Sequence, residues 1–206
     1  GQAAVSLSHP GVTLVGADKV ENPNYLFLNL RIAPDAQAGK FPIVFRVGRK
    51  SLTYTYELRA KSTAQNRIQG FGPGDAIYLI MPDRFANGDT KNDTLPGLFQ
   101  GTHRDQPFGR HGGDLKGISD HLDYVKDLGM TAVWLNPVLE NNQRIESYHG
   151  YAITDLYRVD RRFGSNEEYV TLVDKCHRTG LKVIQDMVAN HIGIEHWLMK
   201  DLPEKD

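Results

Sequence analysis

Hydrophobic and polar positions change rhythm once along this chain. Up to about residue 60 they alternate. In SLTYTYEL (51–58), Leu52, Tyr54, Tyr56 and Leu58 alternate with Ser51, Thr53, Thr55 and Glu57. That is the period of a half-buried antiparallel strand. VTLV (12–15), YLFLNLRI (25–32) and FPIVFRV (41–47) are equally rich in β-branched and aromatic residues, and the turn clusters ENPN, PDAQAGK and GRK separate these runs. Four strands so spaced predict a β-sandwich. An immunoglobulin-like sandwich has about seven, so the count predicts further sandwich sequence upstream.

From residue 75 the apolar runs become continuous and helical periods appear between them. AIYLIM (76–81), TAVWLNP (131–137) and LKVIQDMV (181–188) read as buried strands. DLKGISDHLDYVKDLG (114–129) sets Ile118, Leu122, Val125 and Leu128 on one helical face, with Gly129 as a stop. SNEEYVTLVDKCHRTG (165–180) opens on a capping box of Ser165 and Glu168, and its apolar face is Tyr169, Leu172, Val173 and Cys176. The order β-α-β-α-β predicts a parallel sheet covered by helices, either doubly wound or a (β/α)₈ barrel. The domain reading is a sandwich part over 1–62, a polar, glycine-containing linker over 63–74 and an α/β part over 75–206.

Composition narrows the functional classes. Net charge is −1, which gives no electrostatic case for nucleic acid or an anionic membrane surface. No apolar run approaches the roughly 20 residues of a membrane span. Cys176 is the single cysteine, so no intrachain disulfide forms. Gly-rich phosphate loops, CxxC pairs and serine elbows are absent.

Three polar stations follow the three α/β strands: PDRFANGDTKND (82–93), ESYHGYAITD (146–155) and the Asn190-His191 pair behind Asp186. In a parallel sheet all three lie at the C-terminal edge, where sites are built. Asn87, Asp89, Asn92 and Asp93 bring four oxygen donors together beside Gly88, and HGGD (111–114) can add a glycine carbonyl and the Asp114 carboxylate. Hard cations such as calcium take such donors, and a solvated Asn/Asp/Gly turn is the plainer reading. Tyr148, His149 and Tyr151 offer aromatic faces and an imidazole suited to a sugar ring, or alternatively ordinary packing. Trp134 and Trp197 read as packing residues.

Taken together, IYLIMPDRFANGD, HGGDLKGISDHLDYVKDLGMTAVWLNP, SYHGYAITDLYRVD, FGS and DMVANH resemble, in order and spacing, the α-amylase family of glycoside hydrolases, in its neopullulanase and cyclomaltodextrinase branch. The resemblance runs from about residue 70 to 206. The first sixty residues are similar to the later part of the β-sandwich that precedes the barrel in that branch.

The resemblance implies a retaining hydrolase of α-1,4-glucans such as starch oligosaccharides, cyclodextrins and pullulan. It implies calcium held by Asn87, Asp89, Asn92, Asp93, the Gly112 carbonyl and Asp114. It implies a sugar stacked on Tyr151 and hydrogen-bonded by His149 and His191, with Asp186 as a supporting acid rather than the nucleophile. Asn190 matches a second calcium ligand of some members. The family's nucleophile and acid/base come from later strands than the three expected here, so the chain alone is expected to lack hydrolytic activity. The alternative is a non-catalytic glucan-binding module. The resemblance allows a homodimer and a periplasmic or cytosolic setting, with the periplasm slightly favoured.

Overall fold

In a computed structural model of the chain, residues 3–61 and 70–204 are described. Contacts divide it into two compact units, Gly1–Arg67 with Asp201–Asp206, and Ile68–Lys200. Residues 62–69, which include much of the expected linker over 63–74, lie outside the described residues.

The first unit holds β1 (Ala4–Leu7), β2 (Val12–Lys19), β3 (Leu26–Ile32), β4 (Gly39–Val47) and β5 (Lys50–Leu58). They form two antiparallel sheets, in the orders β1-β4-β5 and β2-β3. Val12, Phe41 and Ile43 are buried between them, with Val5, Leu28, Leu30, Phe45 and Tyr56 packed around. Four of these strands match the alternation read from the sequence. β1 is an addition: AVSL is too short to declare itself, and its pairing with β4 from Ala4↔Arg46 to Leu7↔Ile43 defines it. β5 departs from the reading, because Leu52 and Tyr54 are exposed, at 68% and 59%. Its alternation is real, but the shared core reaches only Tyr56 and Leu58 on this strand.

The second unit is built on three parallel strands in the order β6-β7-β8: β6 (Ile77–Ile80), β7 (Ala132–Leu135) and β8 (Lys182–Gln185). Short α1 (Pro82–Phe85) follows β6; α2 (Leu115–Asp120) and α3 (Leu122–Asp127) precede β7; α4 (Asn166–Arg178) precedes β8; and α5 (Trp197–Lys200) comes last. Ile80, Val133 and Leu135 pack with Leu115, Ile118, Leu122, Val125, Leu172 and Cys176 into one core, where apolar area leaving water contributes roughly 25 cal/mol per Å².

Two expectations need correction. The segment 114–129 is two helices, not one. In a continuous helix the Gly117 carbonyl would accept the His121 backbone N–H; here the His121 ring Nδ1 lies 2.8 Å from that carbonyl, and the backbone N–H turns to Ile118 O instead. The apolar period survives the break, since Ile118, Leu122 and Val125 are all buried, while Leu128 stays outside at 47% exposed. The strands, moreover, are not buried on both faces. One face packs on the helices; on the other, Leu79 pairs in register with Trp134, and Trp134 with Ile184, leaving Leu79 59% and Trp134 39% exposed.

Candidate functional site

The site forms where β7 and β8 end. Asp186 extends the β8 ladder through its N–H to Leu135 O, at 3.3 Å, so its side chain falls on the same face as Trp134 and Ile184. Its Oδ2 accepts the Tyr151 hydroxyl at 2.8 Å and the Trp134 indole N–H at 3.3 Å. Burial, and then the Asp186 carboxylate, push the Tyr151 phenol above its ordinary value, so Tyr151 stays a donor at neutral pH. Tyr151 as a whole remains 37% exposed. Trp134, read from the sequence as a packing residue, is therefore part of the candidate site. A half-exposed tryptophan among buried neighbours on a strand is what period-two alternation produces. Trp197 is also exposed, at 51%, rather than packed in the core.

The two histidines converge on the same tyrosine. His149 Nδ1 accepts the Tyr151 backbone N–H at 2.9 Å, which places the proton of the neutral ring on Nε2. Burial lowers the His149 pKa against the opposing pull of Glu146, so the ring is neutral at pH 7. His191 Nε2 donates to the Tyr151 carbonyl at 2.9 Å, and its Nδ1 faces the Asn190 amide at 3.3 Å. The four residues singled out for this wall, His149, Tyr151, Asp186 and His191, thus lie together, with His191 reaching Tyr151 from its backbone side.

Behind the wall lies a buried charge network invisible to pattern reading. Asp83, Arg110, Asp160 and Arg162 are each at most 1% exposed. Arg162 pairs with Asp160 at 2.7 Å, and Arg110 lies 3.7 Å from Asp160 and 3.5 Å from Asp83. Burial alone would raise the Asp160 carboxyl; Arg110 and Arg162 outweigh it and hold the group at about 2. These residues come from α1 and from the two long segments before α2 and α4, and only folding shows that their charges cancel.

The oxygen-rich loop lies beside this network. Asn87 Nδ2 donates to Asp93 Oδ1 at 2.7 Å, and a Cβ on Gly112 would stand 2.5 Å from that same oxygen, so Asn87, Asp93 and Gly112 meet. Asp83 carries the far side of the loop, accepting His111 N–H at 2.8 Å and Gly112 N–H at 3.4 Å. Asp114 is the N-cap of α2: its Oδ1 accepts Gly117 N–H at 2.6 Å, and its Oδ2 accepts Asp89 N–H at 2.8 Å and the Asn92 amide at 3.3 Å. Asp114 therefore holds the loop's path. The side-chain oxygens of Asn87 and Asn92 are buried with no donor among the described residues, a state that costs about 1–3 kcal/mol per group. Hard amide, carboxylate and carbonyl oxygens with two unanswered acceptors fit a calcium-type cation. The set is mixed; among the described residues no three His, Cys, Asp or Glu side chains gather as a metal cluster.

Known proteins resemble the chain in both of its parts. The model of the α-amylase catalytic domain matches residues 79–206, and that of the cyclomaltodextrinase N-terminal domain matches residues 1–62. A cyclomaltodextrinase of Geobacillus thermopakistaniensis is 34% identical over 188 residues, 83% of this chain and 31% of that protein. Neopullulanase 2 of Thermoactinomyces vulgaris is 41% identical over 133 residues, 63% of this chain and 22% of that protein. Among solved structures, an Anoxybacillus α-amylase superposes with a TM-score of 0.57 at 43% identity, covering 62% of this chain and 26% of its own. The chain thus spans under a third of the length of these relatives. More than half of its residues fall in the catalytic-domain match, and on that ground the chain belongs to the α-amylase family of glycoside hydrolases.

Proposed function

We propose that this chain is the front part of a retaining hydrolase of α-1,4-glucans, in which β6, β7 and β8 are the first three strands of a (β/α)₈ barrel. The observation that carries the reading is the wall of Tyr151, His149 and His191 around Asp186 at the C-terminal strand edge, where barrel enzymes keep their sites. The row Leu79–Trp134–Ile184, exposed at Leu79 and Trp134 and half-buried at Ile184, supports the barrel, because closure would turn that face inward. A glucose ring stacks on the open face of Tyr151, and His149 Nε2–H donates to one of its hydroxyls. His191 braces Tyr151 and completes the sugar wall. Asp186 orders Tyr151 and Trp134. Retention requires a nucleophile and an acid/base about 5–5.5 Å apart, and we assign that pair to strands outside these 206 residues. Starch oligosaccharides, cyclodextrins and pullulan are the proposed substrates, in keeping with the relatives named cyclomaltodextrinase and neopullulanase.

The test is hydrolysis of maltohexaose and β-cyclodextrin by the full-length protein and its Tyr151→Ala variant. The variant is expected to lose at least about tenfold in kcat/KM, equivalent to about 1.4 kcal/mol. Unchanged hydrolysis by Tyr151→Ala would remove the wall from the mechanism, and hydrolysis by the 206-residue chain alone would overturn the assignment of the carboxylates elsewhere. Glucan binding without hydrolysis by the full-length protein would favour the binding-module reading.

Calcium is the proposed ligand of the loop, held by Asn87, Asp89, Asn92, Asp93, the Gly112 carbonyl and, at its edge, Asp114. A cation bound only by the folded state stabilises by about 2.7 kcal/mol at a hundredfold excess over Kd. Tm is therefore expected to rise with calcium in the unmodified protein and to stay flat in Asp93→Ala. A flat response in both would remove calcium from the proposal.

A further inference from the structure

The segment that carries His149 and Tyr151 follows a path it does not hold by itself. Glu146 sits at φ 55 and Gly150 at φ 85, both in the left-handed region, and a Cβ on Gly150 would lie 2.2 Å from the Pro137 carbonyl. Between them the 3₁₀ turn Ser147–His149 receives no side-chain cap from Glu146. Its restraint comes from elsewhere in the chain. Ser147 is completely buried, and both of its backbone polar atoms are gripped by side chains. The Ser147 N–H donates to Gln100 Oε1 at 2.7 Å, and the Ser147 carbonyl accepts Arg110 Nη1 at 3.1 Å. The two grips share one brace: Arg162 donates to the Gln100 carbonyl at 2.8 Å and to Asp160, the carboxylate that also faces Arg110.

We propose that Gln100 and Arg110 clamp Ser147 so as to position His149 and Tyr151 for the sugar, which makes Gln100 a positioning residue for glucan recognition. The inference rests on the reading of Tyr151 and His149 as the sugar wall. Gln100 is separable from the folding core. It lies in irregular chain between α1 and α2, and it belongs to neither hydrophobic cluster. Without its side-chain oxygen the buried Ser147 N–H has no acceptor, and the turn relieves that cost by moving. A displacement near 1 Å at a binding wall is enough to cost about a hundredfold in rate. Arg110 holds the other side chiefly through the main-chain carbonyl at 3.1 Å, while the Ser147 hydroxyl lies farther, 3.5 Å from both Arg110 Nη1 and Arg162 Nη1.

The experiment uses the full-length protein saturated with calcium, and acarbose as the probe. Affinity is measured by calorimetry and folding by thermal melting for Gln100→Leu, Gln100→Asn and Gln100→Glu. Gln100→Leu removes the acceptor and is expected to weaken acarbose about tenfold with little change in Tm. Gln100→Asn withdraws the acceptor by one methylene and is expected to weaken binding similarly, which keeps the test decisive if the leucine variant does not fold. Gln100→Glu keeps an oxygen at the same reach and is expected to stay within about twofold of the unmodified protein. Leucine and asparagine variants that bind as tightly as the unmodified protein would overturn the clamp, as would a glutamate variant as weak as they are. No acarbose binding by the unmodified protein would overturn the sugar wall and the clamp with it.

Discussion

Burial decides the chemistry of single residues here more than their identity does. The Cys176 thiol lies fully buried on α4 between the helix and the sheet, and burial pushes it up to about 11. It should resist Ellman's reagent at pH 8 in the folded protein and react completely in denaturant; rapid reaction of the native protein would contradict that burial. Asp160 shows the opposite shift. Its folded value, about 2, lies below its ordinary 3.8, so its stabilisation is complete above about pH 4 and fades as pH falls toward 2. The contribution is on the order of 2 kcal/mol. Asp160→Asn, which leaves Arg110 and Arg162 short of a partner, is expected to cost about 3–5 kcal/mol near neutrality. In urea titrations the gap between Asp160→Asn and the unmodified protein should shrink as pH falls below 4; a constant gap would refute the linkage. Pattern reading reached His149, Tyr151, Asp186 and His191 because each follows a strand in a polar run. It missed Trp134, whose role comes from the sheet face it occupies. It also missed Asp83, Arg110 and Asp160, whose charges meet only after folding.

Elements were more legible where local signals agree. α4 has an N-cap, a capping box, an apolar stripe and a glycine past its end, and it forms as read: Ser165 Oγ accepts Glu168 N–H at 3.1 Å, and Glu168 Oε2 accepts Ser165 N–H at 2.7 Å. Ser165→Ala is expected to lower stability by about 1 kcal/mol, read as a shift of the denaturant midpoint at constant slope. The α2–α3 region had the same clean period and still broke, because a side chain competed with the backbone for one carbonyl. Hydrophobic spacing reports which face is buried and is blind to that competition. His121→Leu removes the competing ring and is expected to raise helix content over 115–127 by circular dichroism.

At the scale of the molecule, the change of rhythm in the sequence and the division of the structure coincide in kind: antiparallel sheets first, parallel strands with helices afterwards. The α/β order was legible because period-two and period-3.6 segments alternate. The exposed strand face was not, since a continuous apolar run looks the same whether one face or both are covered. The second unit depends on its helix-side core. Ile118→Ala, at a fully buried position, is expected to cost about 2–5 kcal/mol, measured by urea unfolding.

The close approach of α2 to the oxygen-rich loop bears on how the site can diverge. A Cβ on Gly88 would lie 2.4 Å from Gly117 N, and one on Gly117 would lie 2.0 Å from the Ala86 carbonyl. Backbone meets backbone there, so the loop's course is set by atoms that substitution cannot vary, while its donors hang from that course as exchangeable side chains. Charge at the proposed cation site can then be altered without redrawing the loop. Asn87→Asp, placing a second carboxylate against Asp93, should tighten calcium and leave the metal-free protein less stable than the unmodified one. A lineage that took this step would exchange independence from the ion for grip on it, one amide at a time.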